Sequence, residues 1–322
     1  MTIPTPPPIV VVGSLNADLT IYCDRLPLPG ETVHGNGFAV NPGGKSANQA
    51  VAASKLGGRV FLIGAVGDDS NGNMLLASTA GAGVDISHVR RAPDTATGVA
   101  VISVDANGEN NIIISAGANG TLTPEDVAAS IEVFQGASVV CLCLEVGLAT
   151  VEAAARLGHD AGATVLLNLS PYAEIPASLA DLCDVLLVNA HEASLFLGGT
   201  AVPDADADTA AWAPVRAKFA DRGLHRVVVT LGANGSVVLD SGTGAGAGAG
   251  DHITRIEPTR VEATDTTGAG DAFTGAVAAR LAAGASLPAA AAFASVAAAL
   301  AATRKGTQTA YPEAADVQGM LA

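Results

Sequence analysis

Aromatic side chains make up only 3% of this chain and charged ones 15%, and 322 residues contain just four cysteines. Cys23, Cys141, Cys143 and Cys183 are too few and too scattered for a disulfide framework. Cys141 and Cys143 fall in the strand-like run Ser138 to Leu144 and read as buried strand residues rather than as a metal site. With few rings available, Val, Leu, Ile and Ala must build the interior of a chain that is 49% hydrophobic. Basic residues are scarce as well, 16 against 31 acidic, a formal charge of −15. That balance argues against nucleic acid and against an anionic membrane surface, so any anionic ligand must be held locally by backbone donors or a metal. No convincing membrane-spanning run is present, because Arg280, Gly284, Pro288 and Arg304 interrupt the alanine-rich C-terminal stretches. Residues Met1 to Pro8 are proline-rich and read as a loose tail, not a signal peptide, so a cytoplasmic location is expected.

What is present is an alternation. Strand-like runs at Ile9–Gly13, Val60–Val66, Val139–Leu144, Thr164–Asn168, Val185–Val188 and Val227–Thr230 are interspersed with helix-like Ser46–Leu56, Gly72–Ala80 and Val151–Ala161. Continuous apolar strands between helices predict an α/β fold, a mostly parallel central sheet with helices on both faces. Two stretches break the rhythm: 18–42, rich in Pro and Gly, and 97–116, a hairpin around Ala106-Asn107-Gly108. Both predict a small β-lid on a single domain spanning 9–312. The tract Gly242 to Gly250 reads as a flexible surface loop.

The densest chemistry lies in Asp265-Thr266-Thr267-Gly268-Ala269-Gly270-Asp271, which leads into an apolar helical segment. Gly268 and Gly270 let the backbone curl, and the helix start aims N–H groups into that curl, an anion site. Asp271 there is either an acidic residue favoured by the helix dipole or a general base for phosphoryl transfer. Asn41-Pro42-Gly43-Gly44-Lys45-Ser46 matches only the second half of a P-loop, since Ala39 stands where the first glycine belongs. What survives is a Gly-Gly turn at a helix start, with Lys45 and Asn48 placed to bond a small polar ligand.

Asn16 and Asp18 lie beyond the carboxyl end of Ile9–Val12, as a turn pair or as acceptors for adjacent sugar hydroxyls. Glu145, at another strand end, is an edge carboxylate or a further hydroxyl acceptor. Asn189 and Glu192 form either a capping box or a pair holding the waters of a hydrated Mg²⁺. The turn Leu231-Gly232-Ala233-Asn234-Gly235 after Thr230 either admits a flat base or is simply a hairpin turn.

Taken in order, Gly13-Ser14-Leu15-Asn16-Ala17-Asp18, Pro29-Gly30-Glu31-Thr32, Gly43 to Ala50, Asn189-x-x-Glu192, Asp265 to Asp271 and Thr303-Arg304-Lys305-Gly306 resemble the ribokinases of the PfkB carbohydrate kinase family. The resemblance implies a ribokinase-like fold with a β-lid through which homodimers form. It implies Asp271 as the base for a sugar hydroxyl and the amides of Gly268, Ala269, Gly270 and Asp271 as an anion hole. Asn16, Asp18, Gly44, Lys45, Asn48 and Glu145 would line the sugar site. Asn189, Thr230, Gly232 and Gly235 would serve ATP, with Glu192 reaching Mg²⁺ through water. A monovalent cation, K⁺, would sit near Asp265, Thr267, Ala301, Arg304 and Gly306. Two positions depart from the family pattern: Ser46 replaces a glycine and is expected to narrow the sugar site slightly, and Ala310 replaces a serine near the cation. The activity implied is ATP-dependent phosphorylation of D-ribose at O5. The alternatives are another sugar or nucleoside kinase of the family, acting on fructose, deoxyribose or adenosine, or a non-catalytic sugar sensor. Val99, Val101 and Ile113 in the lid offer small aliphatics, which suit a bare pentose better than a nucleoside base.

Overall fold

A computed structural model describes residues 6–107, 109–241 and 252–321; Gly108 and the Gly242 to Gly250 tract lie outside the described residues. In chain order the strands are β1 (Pro8–Val12), β2 (Asn16–Cys23), β3 (Gly35–Gly43), β4 (Arg59–Gly67), β5 (Asp85–Ala92), β6 (Gly98–Val104) and β7 (Asn110–Ser115). They continue with β8 (Val139–Leu142), β9 (Thr164–Asn168), β10 (Val185–Asn189), β11 (Arg226–Thr230), β12 (Ser236–Asp240) and β13 (His252–Ile256).

Nine of these form one sheet in the order β13-β12-β11-β10-β9-β8-β1-β4-β5. Its pairs are parallel from β5 to β11, and β12 and β13 run antiparallel at one edge. The apolar runs are continuous because both faces are buried. Ile9 and Val11 of β1 pack with the helices Lys45–Lys55, Ala269–Ala282 and Leu287–Ala302. Val10 and Val12 pack on the other face with Val151, Phe196, Trp212 and Phe219. β5 has no counterpart among the predicted strands: Asp85, His88, Arg90 and Arg91 break its apolar run, which an edge strand tolerates.

The other four strands make a second sheet, ordered β3-β2-β6-β7, from the two stretches that break the α/β rhythm. Its register puts Asp18 opposite Asn41 and Ala100, and Ala100 opposite Ile114. Side chains alternate across a strand, so Asp18, Ala100, Ile102, Ile112 and Ile114 share one face. Val99, Val101 and Ile113 therefore lie on the opposite face, which corrects their expected placement over a ligand.

Helices Lys45–Lys55 and Ala269–Ala282 meet at Gly275. A Cβ there would stand 2.5 Å from the Gln49 carbonyl oxygen and 2.7 Å from the Ala52 Cβ. Only a residue without a side chain permits that approach, and it brings the first turns of the two helices side by side.

Candidate active site

Asp271 lies in the first turn of the helix Ala269–Ala282, whose N-cap, Gly268, takes the left-handed conformation at φ 75°. The amides of Gly270 and Asp271 have no carbonyl four residues earlier in that helix, which leaves them as donors for an anion. The Ala269 amide is already bonded to the Thr266 carbonyl at 3.1 Å, so of the four expected anion-hole amides it is the one engaged in shaping the turn. Tyr311, fully buried, donates its hydroxyl to the Gly268 carbonyl at 3.2 Å and supports the turn from beneath. The Asp271 carboxylate, 7% exposed, accepts from Asn48 Nδ2 on Oδ2 and from Gln49 Nε2 on Oδ1, each at 3.0 Å.

On the other side of Asp271 stand two further carboxylates and one ammonium. Burial, then the nearby charges of Glu145 and Asp271, push the Asp18 carboxyl up to about 7, partly offset by Lys45. Burial alone would depress the Lys45 ammonium, but the charges of Asp271 and Glu145 outweigh it and raise its pKa. Glu145 Oε2 accepts from Ser14 Oγ at 2.5 Å and from the Lys45 amide at 3.0 Å. Asn16 reaches the same oxygen at 3.5 Å through Nδ2, while its Oδ1 accepts from Asn119 Nδ2 at 2.8 Å. Gly44 is the N-cap of the helix Lys45–Lys55 and gives its carbonyl to the Asn48 amide. Asn16, Asp18, Gly44, Lys45, Asn48, Glu145 and Asp271 thus converge in one polar cluster. Ser46 does not face it: its hydroxyl is 3.1 Å from Cys143 Sγ and 3.4 Å from the Val12 carbonyl, turned toward the sheet. The serine therefore does not narrow the cluster.

A cavity of about 690 Å³ opens beside the helix start. Thr230, Gly232 and Gly235 line it together with Ala269, Gly270, Phe273, Arg260 and Ala298. Gly270 borders this cavity while the next residue, Asp271, is held toward the polar cluster, so the carboxylate marks where the two compartments meet. Asn189 and Glu192 do not line it. They form a capping box, the Asn189 side chain accepting from the Glu192 amide and the Glu192 side chain from the Asn189 amide. Asp265 accepts from the amides of Thr267 and Gly306, and the Thr264 and Asp265 amides donate to the Ala302 carbonyl. Asp265, Thr267 and Gly306 are therefore drawn together next to the end of the helix Leu287–Ala302. Ala310, buried there, supplies no side-chain oxygen. No cluster of three or more His, Cys, Asp or Glu able to hold a metal exists among the described residues. A hydrated Mg²⁺ keeps several of its waters and needs only one or two carboxylates rather than a cage of this kind; the carboxylate of the buried Glu192 is engaged with the Asn189 amide at 2.9 Å.

Ser14, Gln49, Asn119, Gln308 and Tyr311 join the cluster or its supports without having been assigned a role from the sequence. Ser14 and Gln49 lie inside the motifs quoted above, whereas Asn119, Gln308 and Tyr311 lie outside them. Asn119 and Gln308 reach the cluster from 103 and 260 residues away, and sequence spacing holds no trace of such contacts.

The model of the pfkB family carbohydrate kinases matches residues 7–314, and the chain belongs to that family. A deoxyribokinase of Salmonella typhi is 37% identical over 305 residues, covering 94% of this chain and 95% of that protein. A ribokinase of Schizosaccharomyces pombe is 34% identical over 317 residues, covering 97% and 96%. The structure of Arabidopsis thaliana ribokinase complexed with ribose and ATP aligns with a TM-score of 0.86 at 32% identity, over 98% of this chain and 99% of that one. The fold is ribokinase-like, and the protein is a phosphotransferase with an alcohol group as acceptor, a sugar kinase. No helix among the described residues is long and apolar enough to cross a membrane.

Proposed function

We propose that the chain is an ATP-dependent D-ribose kinase, with the sugar in the polar cluster under the lid and the nucleotide in the adjoining cavity. The observation that carries this reading is the position of Asp271. Its carboxylate is fixed between a helix start suited to a phosphate and a group of hydroxyl-binding side chains. The ribose O5 proton passes to Asp271, O5 forms a bond to the γ-phosphorus, and the bond from that phosphorus to the leaving ADP oxygen breaks. The amides of Gly268, Gly270 and Asp271 stabilise charge on the transferred group. Mg²⁺, when bound near Glu192 and Asn189, supplies neutralisation of the nucleotide phosphates. K⁺ at Asp265, Thr267, Ala301, Arg304 and Gly306 would steady the anion-hole turn that these residues adjoin.

Charge narrows the substrate. Asp18, Glu145 and Asp271 outnumber Lys45, so a sugar that already carries a phosphate is repelled and a neutral sugar is favoured. The face shared by Ala100, Ile102, Ile112 and Ile114 is aliphatic around Asp18, and the ring on that face, Tyr22, stands four residues along β2 from the carboxylate, which favours a bare sugar beside Asp18 over a stacked nucleoside base. The Salmonella relative's name makes 2-deoxyribose the second substrate to test. ADP release is measured with ribose, deoxyribose, fructose and adenosine, with and without K⁺. Ribose should give the highest kcat/KM, and Asp271→Asn should lower turnover on the order of 10²–10⁴-fold with the fold intact. Activity highest on adenosine, or near-normal turnover of the Asn variant, overturns the assignment. The same reading includes a homodimer formed through the outer face of the lid.

A further inference from the structure

The Asp271 carboxylate is gripped by two side-chain amides, and each amide has its own orientation fixed from behind. Gln49 is completely buried; its Oε1 accepts from Cys141 Sγ at 3.3 Å while its Nε2 donates to Asp271 Oδ1 at 3.0 Å. Asn48 Oδ1 accepts from Gln308 Nε2 at 3.1 Å while its Nδ2 donates to Asp271 Oδ2 at 3.0 Å. Gln308 in turn accepts from Ser78 Oγ at 3.0 Å through Oε1. A primary amide has one acceptor end and one donor end. An outer donor on each oxygen therefore forces both NH₂ groups toward Asp271. Two donors on two carboxylate oxygens fix the plane of the group.

We infer that Gln49 and Gln308 are positioning residues for the phosphoryl-transfer base: through two buried amide relays, from Cys141 and from Ser78, they hold Asp271 fixed in rotation toward the sugar hydroxyl. The inference rests on Asp271 being that base. Gln308 lies in the segment following the helix Leu287–Ala302, whose Thr307 hydroxyl donates to the Pro42 carbonyl at 2.9 Å at the foot of lid strand β3. The relay therefore ties the base to the same segment that supports the lid and, through Tyr311, the anion-hole turn.

Gln308→Glu is the decisive substitution. It replaces the outer donor by an acceptor, so the Asn48 amide turns over and presents an oxygen to Asp271. The expected result is a fall in kcat of about 10- to 100-fold, the scale of a displaced base, with KM for ATP and for sugar within about threefold of wild type. Gln308→Met and Gln49→Met remove the amides without adding charge and should each lower kcat less, with a melting temperature near that of wild type. They keep the test decisive if the Glu variant folds poorly. In an Asp271→Asn background the Gln308 substitutions should have no further effect, because their whole influence passes through the carboxylate. Unchanged kcat in Gln308→Met and Gln49→Met, or an undiminished loss in the Asp271→Asn background, overturns the inference. Near-normal turnover of Asp271→Asn alone overturns instead the assignment of the base, so the two failures are distinguishable.

Discussion

Asp18 changes charge near neutral pH, because burial and the charges of Glu145 and Asp271 push its carboxyl up to about 7. Below that value it is mainly neutral, and above it the carboxylate would accept hydrogen bonds from the hydroxyls of the proposed sugar substrate more strongly. The KM for sugar should therefore fall as pH rises through about one unit on either side of 7. Asp18→Asn should hold a high KM across the same window, and a pH-independent wild-type KM rules the coupling out. The sign for stability is opposite. In the unfolded chain the group titrates near its ordinary 3.8, so its contribution to folding is fully present below that pH and is lost as pH climbs through 7. Thermal unfolding should show the Asp18→Asn variant gaining on wild type between these limits. A melting-temperature difference that stays constant with pH contradicts it.

The helix pair Lys45–Lys55 and Ala269–Ala282 is the element that converts sequence into site geometry. Asn48 and Gln49 reach Asp271 only because Gly275 lets the second helix lie against the Gln49 carbonyl at 2.5 Å from where a Cβ would stand. Gly275→Val forces the helices apart and should cost about 1–3 kcal/mol of stability, the range for overpacking a filled core. It should also lower kcat more than either KM, because Asp271, the proposed base, loses its clamp before the cavities change shape. Unaltered unfolding and kinetics would show that the contact does not set the spacing. The Gly-Gly turn, the glycine-bracketed Asp271 and the strand-end Asn16, Asp18 and Glu145 were legible in sequence because their local backbone chemistry is distinctive. The strands β1, β4 and β8 to β11 were legible because burial on both faces makes them uniformly apolar. β5 was not, since an edge strand carrying Asp85, Arg90 and Arg91 has no such signature. The composition of the lid was legible and its facing was not: pairing register decides whether Val101 or Ile102 looks inward, and a single-residue shift reverses it. The clamp from Gln308 was invisible for another reason, since the fold alone brings residues 48 and 308 together.

At the scale of the whole molecule, the large negative charge and an apolar sheet surface act against each other. The charge of −15 keeps copies of the chain apart at long range. Yet the lid face opposite Asp18 carries Ile21, Phe38, Val40, Val101 and Ile113, with Phe38 at 66% and Ile113 at 73% exposure. In the register, Phe38 pairs with Ile21, Leu19 lies between Val40 and Val101, and Val101 pairs with Ile113, so these side chains form a contiguous stripe across all four strands. Contiguous exposed apolar surface of this kind marks an interaction site, and the homodimer proposed above would cover it with a second copy of the same sheet. Because Asp18 projects from the other face of the same strands, covering the stripe would also stiffen the support of this proposed sugar-binding carboxylate. If the proposed homodimer forms through this stripe, Ile113→Lys and Phe38→Glu should each convert it to monomer in sedimentation at micromolar concentration. The sugar KM should rise several-fold and the ATP KM stay unchanged, since Thr230 ends β11 of the other sheet and Gly232 and Gly235 lie in the turn that joins it to β12. Wild-type chain that sediments as a monomer, or monomeric variants that keep the wild-type sugar KM, would separate the apolar stripe from assembly or from binding respectively.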